Sequence, residues 1–193
     1  MANRSDSLLR QVDFLCEIEK LKGVARANRT LDGRRENSAE HSWHVALMAL
    51  LLQEHATGEL DMLKVVSMLL IHDIVEIDVG DTWLYDQNRG AKSAAEEQAA
   101  ERLYALLPPP QHQQYLALWR EFEARESAEA RYAAAIDGIQ PLLNHLLTGS
   151  PRDGVIPLDK VRSRKAYIEE HAPGLWDLVE KLIQKSTERG LYV

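Results

Sequence analysis

Apolar residues recur every three to four positions along almost the whole chain, whereas the alternation typical of a strand is nearly absent. Only the short stretch IVEIDVG is rich in β-branched residues, and it directly follows a helical pattern. The spacing therefore predicts an all-α fold, a single-domain bundle of about seven to eight helices. These helices are expected over about residues 5–22, 37–55, 61–74, 92–107, 111–125, 128–148, 158–171 and 175–189.

The segments between the predicted helices carry turn and breaker residues. Residues 23–37 contain Gly, Asn, Asp and several Arg and are predicted to form a loop, while residues 76–90 are predicted to be irregular. Asn37, with Glu40 three residues later, predicts a capping box at the start of the second helix. The prolines that begin at Pro108 should end the fourth helix.

The first predicted helix has an apolar side that we expect to be buried. Cys16 is the only cysteine and lies on this side, so we expect a core residue rather than a reactive thiol. A single cysteine cannot form an internal disulfide, which favours a reducing compartment, the cytoplasm. We find no signal-peptide pattern and no apolar run of about 18 residues, so no membrane contact is expected. The apolar side comprises Leu8, Leu9, Val12, Leu15, Cys16 and Ile18.

Composition and charge are those of a soluble globular protein. The 193 residues fit one domain, residues 1–193, and the charged fraction of 27% is ordinary. The net charge of −7 argues against a nucleic-acid polymer as partner, because such binding depends on basic surface. It leaves room for a small anionic ligand held by a local group of arginines.

Three ionisable residues occupy positions that the helical pattern assigns to the core. His41 begins the apolar face of the second helix, and the adjacent His72 and Asp73 close the apolar third helix. A buried carboxylate with two imidazoles is costly unless these groups are paired or bind a cation. A divalent metal would satisfy all three, and hydrogen-bonded core residues are the alternative that the spacing leaves open. His44, one turn after His41, is a candidate to assist them.

Asp137 is a fourth candidate ligand, in the middle of the helix predicted over 128–148. The small residues Ala133 and Ala134, one turn earlier, would let another helix approach closely. Pro141 supplies no N–H to the carbonyl of Asp137, which predicts a kinked or loosened turn that could help to aim the carboxylate. Two imidazoles and two carboxylates would suit one Mn, Co, Fe, Ni or Zn ion better than Mg.

Four arginines lie in the segment 23–37, just before His41. A cluster of charges usually faces solvent. The chain is acidic overall, however, and arginine binds phosphate in a bidentate manner. We therefore expect at least one of them to bind phosphate, with Arg26 as the first candidate and Arg35 as the second.

The pattern formed by His41, His72–Asp73 and Asp137 resembles that of the HD-domain phosphohydrolases, a helical metal-dependent superfamily. The strings RRENSAEHSWH, HDIVEIDVGDT and AIDGIQPLL are most similar to the branch that contains the 5′-deoxynucleotidases. The resemblance covers roughly residues 20–145 and implies one divalent ion held by these four residues. The expected domain is then an HD-type bundle with its metal-site core over about residues 20–150 and the helices of residues 158–190 packed on it.

The same resemblance implies roles for residues that the pattern alone would place on the surface or in a turn. Glu76 would help to activate the attacking water, Asp81 would act near the leaving group, and Arg26 would contact the phosphate. One position departs from the branch: Ala27 stands where the deoxynucleotidases have a tryptophan that helps to reject ribose, so the sugar preference stays open. Relatives in this branch are often homodimers, so a homodimer is possible here too.

The expected function is a metal-dependent hydrolase of a small phosphorylated metabolite, with a (deoxy)nucleoside 5′-monophosphate as the leading substrate class. A nucleotide phosphodiesterase or a hydrolase of a signalling nucleotide is the alternative enzyme. A non-catalytic nucleotide-binding protein that keeps its ion is the alternative of a different class. The presence of Glu76, Asp81 and Arg26 favours an enzyme, because a structural ion needs only its ligands.

Overall fold

The computed structural model describes residues 4–81 and 89–193, which form α-helices, short 3₁₀ turns and one small sheet. The predicted all-α class is confirmed, and eight of the helices in these ranges have eight residues or more. The strands are β1 (Ala25–Arg29) and β2 (Arg35–Asn37). The helices are α1 (Arg4–Ile18), α2 (Ser38–Leu51), α3 (Met62–Ile71), α4 (Glu76–Val79), α5 (Arg89–Tyr104), α6 (Pro109–Ala124), α7 (Ala128–Thr148), α8 (Leu158–Lys165), α9 (Tyr167–His171) and α10 (Trp176–Glu188).

Helix α7 is the element around which the others pack, since it contacts α2, α3, α6, α9, α10 and β1. One cluster of buried apolar side chains surrounds it and extends from Val45 in α2 to Ile183 in α10. A second cluster lies between the end of α3, α5 and α6, and Tyr104 is among its members. The 3₁₀ turn His72–Val75 follows α3 where the chain passes from the first cluster to the second.

Side-chain caps fix the starts of α2 and α3. The predicted capping box is confirmed: Asn37 Oδ1 accepts a hydrogen bond from the Glu40 N–H at 3.0 Å, and Glu40 accepts one from the Asn37 N–H at 3.1 Å. Asp61 caps α3 by accepting a hydrogen bond from the Lys64 N–H at 3.1 Å. Each cap satisfies N–H groups that the first helical turn leaves unpaired, so it sets the register of the helix behind it.

The sequence predicted a loop over residues 23–37. The structure has an antiparallel hairpin there instead. Ala25 pairs with Asn37 and Arg29 with Arg35, and the turn passes through Gly33 with a φ of 87°. The strand ARANR has no β-branched or aromatic residue, so local propensity gave no strand signal. Strand β1 also packs on α7. This tertiary contact occurs together with the strand pairing, and the local sequence alone does not reveal it.

Most of the apolar side of α1 is exposed, contrary to the prediction, and only Ile18 of the predicted set is partly buried, against the cluster that contains Tyr104. Leu8, Leu9 and Leu15 are 60%, 62% and 60% exposed, and Cys16 is exposed rather than a core residue. The other side of the helix is held by Arg10, whose guanidinium donates to the carbonyl groups of residues 105 and 107. Periodicity identifies an apolar face, but it does not say whether another part of the chain covers that face.

The segment predicted to be irregular, residues 76–90, begins with the short helix α4. This helix ends at Gly80, whose φ of 73° lies in the left-handed region that favours glycine. Residues 82–88 of the segment lie outside the described residues. Across residues 4–81 and 89–193, no helix is both long enough and apolar enough to cross a bilayer.

Candidate active site

The four predicted ligands, distant in sequence, lie together in the interior. His41 Nε2 is 2.8 Å from Asp137 Oδ1 and 3.9 Å from Asp73 Oδ2. His72 Nε2 is 3.1 Å from Asp73 Oδ1 and 3.6 Å from Asp137 Oδ1. His41, His72 and Asp73 each offer a ligand atom within 4.8 Å of the others. The side chains of His41 and His72 are buried, while that of Asp137 is 26% exposed and opens the cluster to solvent.

Three separate elements bring these side chains to one place. His41 lies in the first turn of α2, directly after its capping box. His72 and Asp73 begin the 3₁₀ turn after α3, and Asp137 lies in the middle of α7. Helix α7 continues through Pro141 as one helix, although this proline cannot donate to the carbonyl of Asp137. Because α2 and α3 both pack on α7, the fold itself assembles the cluster.

The far ring nitrogens of both histidines contact oxygen acceptors. His72 Nδ1 is 2.9 Å from the carbonyl oxygen of Leu69, and His41 Nδ1 is 3.1 Å from Gln140 Oε1. Neutral imidazoles therefore carry their proton on Nδ1 and present the Nε2 lone pair to Asp73 and Asp137. His72 Nε2 is buried and makes no hydrogen bond of good geometry with the described residues. Acceptors that face one another in this way fit a divalent cation between them.

The ionisation of the cluster also favours a bound cation. Burial alone would lower the pKa of His72, but the Asp73 and Asp137 carboxylates raise it to about 9. Burial alone would raise the pKa of Asp137, but His41 and His72 hold it well below its ordinary value. The Asp137 carboxylate therefore stays ionised and attracts positive charge, which a proton or a metal ion can supply.

A buried hydrogen-bond network behind His41 was not predicted from the sequence. Gln140 Nε2 donates to Glu36 Oε1 at 2.8 Å, which orients the amide so that Gln140 Oε1 faces His41. Gln140 is fully buried and Glu36 is 4% exposed. His44, the predicted assistant, lies 3.4 Å from the Gln140 amide and not in the cluster itself. One feature of the sequence could have indicated this network. Gln140 lies three residues, or about one helical turn, after Asp137 on an apolar helix face.

Arg26 reaches the cluster from β1. Its Nη1 lies 2.6 Å from Asp73 Oδ2 and 3.7 Å from Glu76, and its Nε lies 3.7 Å from Glu36. Side chains alternate along a strand, and Arg26 is on the inward side of β1. The hairpin therefore directs the first predicted phosphate ligand to the cluster, with only 13% of its side chain exposed.

Glu76 is buried beside the same carboxylate and is not a surface residue. Ser38 Oγ donates to Glu76 Oε2 at 2.5 Å, and Glu76 is 6% exposed. Burial and the nearby Asp73 carboxylate raise the pKa of Glu76 to about 8. A carboxyl group with such a pKa takes up a proton readily near neutral pH.

A cavity of about 760 Å³ opens beside Asp137, within the range of small-molecule sites. The predicted residues Arg26, Arg35 and Asp81 line it, as does Ala27. Asp81 Oδ2 accepts a hydrogen bond from the Ala27 N–H at 3.2 Å, which ties it to β1. Arg35 is exposed, so it lies at the rim and not in the buried cluster.

The C-terminal part of the chain forms another wall of this cavity, which the sequence did not predict. Val155, Ile156 and Tyr192 contribute apolar surface, and Lys165 contributes a buried amine. His145 also lines the cavity and stacks on Tyr192 with ring centroids 5.3 Å apart. The sequence could have indicated that Lys165 is buried, because it lies four residues after the buried Val161 on a helix face expected to be apolar.

Comparison with known proteins identifies the class. A family model described as the HD domain matches residues 18–176, and the chain belongs to this HD-domain family. The bovine and human proteins named 5′-deoxynucleotidase HDDC2 are 31% and 29% identical to it over 136 and 135 residues. Each alignment covers 68% of this chain but only 64% and 65% of the respective relative, so the chain spans less than two thirds of their length.

Solved structures support the same assignment. A protein from Magnetospirillum magnetotacticum MS-1, described as a predicted metal-dependent phosphohydrolase, is 43% identical with a TM-score of 0.90, and the match covers 100% of both chains. An HD-domain phosphohydrolase from Listeria innocua, 18% identical with a TM-score of 0.68 over 94% of this chain and 92% of its own, shares the fold. The His-His-Asp cluster and these matches together indicate a site for a divalent metal.

The network behind His41 predicts that Gln140→Ala weakens metal binding without unfolding the protein. Loss of a partner that orients a ligating histidine typically reduces metal affinity about 10- to 100-fold. Titration calorimetry with Mn²⁺ measures the change, and thermal unfolding of the metal-free protein monitors stability. Gln114→Ala, at an exposed position of α6, is the matched control and should bind Mn²⁺ like the unmodified protein. Unchanged affinity in Gln140→Ala would limit Gln140 to a packing role.

Proposed function

We propose that this protein is a metal-dependent phosphohydrolase that releases phosphate from a (deoxy)nucleoside 5′-monophosphate. The observation that carries the proposal is the buried cluster of His41, His72, Asp73 and Asp137 beside a cavity of about 760 Å³ lined by arginines. The names of the bovine and human relatives support this substrate class by similarity. The cluster supplies ligands, and the cavity supplies room and positive charge for a nucleotide.

The cluster would hold one divalent ion through His41, His72, Asp73 and Asp137. Two imidazole nitrogens with carboxylate oxygens suit Mn, Co, Fe, Ni or Zn better than Mg, which prefers an all-oxygen environment. When bound, such an ion would lower the pKa of a coordinated water and polarise a phosphoryl oxygen.

The surrounding residues would divide the remaining tasks. Glu76 would take the proton of the attacking water, since its carboxyl group lies beside Asp73 and the positive charge of a bound ion would lower its raised pKa and favour the ionised form. Arg26 would hold the phosphate group against the cluster, and Arg35 would attract it at the rim. Asp81, on the cavity wall, would act near the leaving oxygen of the nucleoside. Arg26, Glu76 and Asp81 are held in place by the fold before substrate arrives, and such preorganisation is where electrostatic catalysis gains most.

The sugar preference is proposed to be broad. Ala27 lines the cavity directly after Arg26, at the position where the deoxynucleotidases carry a tryptophan. A methyl group leaves more room for a ribose 2′-hydroxyl than an indole ring would. We therefore expect ribonucleotides and deoxyribonucleotides to be accepted alike.

The whole chain is proposed to act as one domain. Helices α9 and α10 pack on α7, and their side chains join the buried cluster that begins in α2. Residues 158–190 therefore support the helix that carries Asp137 as well as the cavity wall.

A screen of phosphate release tests the proposal. Nucleoside mono-, di- and triphosphates in both sugar forms, and a phosphodiester, are incubated with Mn²⁺, Co²⁺ or Mg²⁺. We expect release from monophosphates, faster with Mn²⁺ or Co²⁺, and no turnover in Asp73→Ala. Full activity of metal-free Asp73→Ala would contradict the proposal. Cleavage of the diester alone would favour a phosphodiesterase, and binding without turnover of any substrate would favour a non-catalytic protein.

The position of Glu76 predicts that Glu76→Gln lowers kcat about 10²- to 10⁴-fold, the usual contribution of a general base. KM should change little, because the amide keeps the size of the side chain. Asp78→Asn is the matched control: Asp78 is exposed, two residues away, and pairs with Arg102, a kind of surface pair that adds little stability. Steady-state kinetics with the best monophosphate measures both variants. Equal kcat values for Glu76→Gln and Asp78→Asn would exclude Glu76 as the base.

A homodimer is proposed through the outer face of α2. Trp43, Leu47, Leu50 and Leu51 share this face at helical spacing and are 64%, 40%, 44% and 68% exposed. The opposite face of α2 is buried on α3 and α7, so the second half of the helix, residues 45–51, is apolar all round. Such a helix is normally covered on both sides. A second copy of the chain fits the resemblance to a branch whose members are often dimers.

Light scattering after size exclusion tests the dimer. The chain has a mass of 21.9 kDa, and the unmodified protein should elute with twice that mass. Leu47→Glu should elute as a monomer, because its charge would be buried in the interface. Leu63→Glu, at an exposed position of α3 outside the defined face, is the control and should remain dimeric. A monomeric unmodified protein would contradict the dimer and leave the proposed reaction untouched.

A further inference from the structure

Lys165 is a buried lysine that no role above uses. It is the last residue of α8 and is 2% exposed, yet it lines the cavity beside Asp137. Lysine is almost never fully buried in a protein unless a partner pairs with its charge. The burial of Lys165 therefore needs an explanation.

The packing of α9 on α7 fixes the place of Lys165. Tyr167 Oη donates to the carbonyl oxygen of Ala134 at 3.1 Å. Gly138, next to Asp137, makes this approach possible, because a Cβ at that position would lie 2.1 Å from Tyr167 Oη. Tyr167 comes two residues after Lys165, so the same contact holds the end of α8 near Asp137.

No protein group neutralises the ammonium directly. Within residues 4–81 and 89–193, no hydrogen bond or ion pair reaches Lys165 Nζ. Asp137 attracts it from a distance, while Arg26 and Arg125 repel it. Burial lowers the pKa of Lys165 to about 8, which leaves the ammonium the main form at neutral pH. Two cations, Arg26 from the hairpin and Lys165 from the C-terminal helices, thus enter one cavity from different elements.

We propose that Lys165 binds the phosphate group of the substrate, together with Arg26, and holds it at the metal cluster. The proposal rests on the proposed function for the identity of the substrate, but the anion-binding role of Lys165 can be tested without turnover. A phosphate dianion beside Asp137 would give Lys165 the charged partner that the protein does not supply. A buried ammonium binds a phosphate oxygen more strongly than one surrounded by water does.

A structural role for Lys165 makes a different prediction. If attraction to Asp137 held the fold together, Lys165→Met would unfold at a lower temperature. If the buried ammonium serves to bind a ligand, its burial destabilises the phosphate-free protein. Lys165→Met should then be at least as stable as the unmodified protein. Only the proposal therefore predicts that Lys165→Met loses phosphate affinity without losing thermal stability.

The test uses the Mn²⁺-loaded protein and inorganic phosphate as the probe. Calorimetry gives the phosphate Kd, elemental analysis gives the Mn²⁺ content, and thermal unfolding without phosphate gives Tm. For Lys165→Met we expect a Kd about ten- to hundredfold higher, the usual effect of losing a charged hydrogen bond, with Mn²⁺ content and Tm not reduced. Lys165→Arg should recover most of the affinity. Lys160→Met, at an exposed position of the same helix, is the control and should match the unmodified protein.

The other outcomes either overturn the assignment of Lys165 or overturn the proposed function separately. Phosphate binding that is unchanged in Lys165→Met excludes the anion-binding role, whether or not nucleotides are hydrolysed. A lower Tm or a failure to fold in both Lys165→Met and Lys165→Gln shows a structural lysine. Phosphate binding that depends on Lys165 in a protein that hydrolyses no nucleotide would instead refute the proposed function and leave the anion site standing.

Discussion

The structure depends on one electrostatic constraint, the meeting of two imidazoles and two carboxylates in a buried site. His41 and His72 direct their Nε2 atoms at the Asp73 and Asp137 carboxylates, so the centre requires a proton or a metal ion between these groups. Such an arrangement is stable only around positive charge, because an unpaired buried carboxylate is costly. The elements around the cluster either supply that charge or hold the acceptors in place.

The hairpin and α7 hold the acceptors in place. Strand β1 brings Arg26 to the outer oxygen of Asp73, and β2 brings Glu36 to Gln140, which orients His41. The first contact links the hairpin to the cluster directly, and the second links it to the cluster through Gln140. The two arms of the hairpin thus act on different sides of the cluster, and loss of the hairpin would free Asp73 and His41 together.

The sequence predicted those parts of the site that follow helical periodicity. His41, His72 and Asp137 fall on apolar helix faces, so their burial could be read from spacing, and the helical fold followed from the same pattern. The hairpin could not be read in this way, since its strands have low β-propensity and β1 packs on a helix about a hundred residues away in the sequence. The exposed side of α1 shows the converse limit, because periodicity cannot tell a core face from an uncovered one.

Charge balance explains why the cavity needs a cation from the C-terminal helices. Four largely buried carboxylates, those of Glu36, Asp73, Glu76 and Asp137, surround the cluster. Arg26 lies against two of them, Asp73 and Glu76, and a divalent ion at the cluster would offset further negative charge. Under the proposed function, Lys165 would add positive charge on another wall of the cavity, so an incoming phosphate would meet cations from the hairpin, from the C-terminal helices and from the exposed Arg35 at the rim. A bundle without α8 would lose the cation of Lys165, and the carboxylates around the cluster would then repel a phosphate group more strongly.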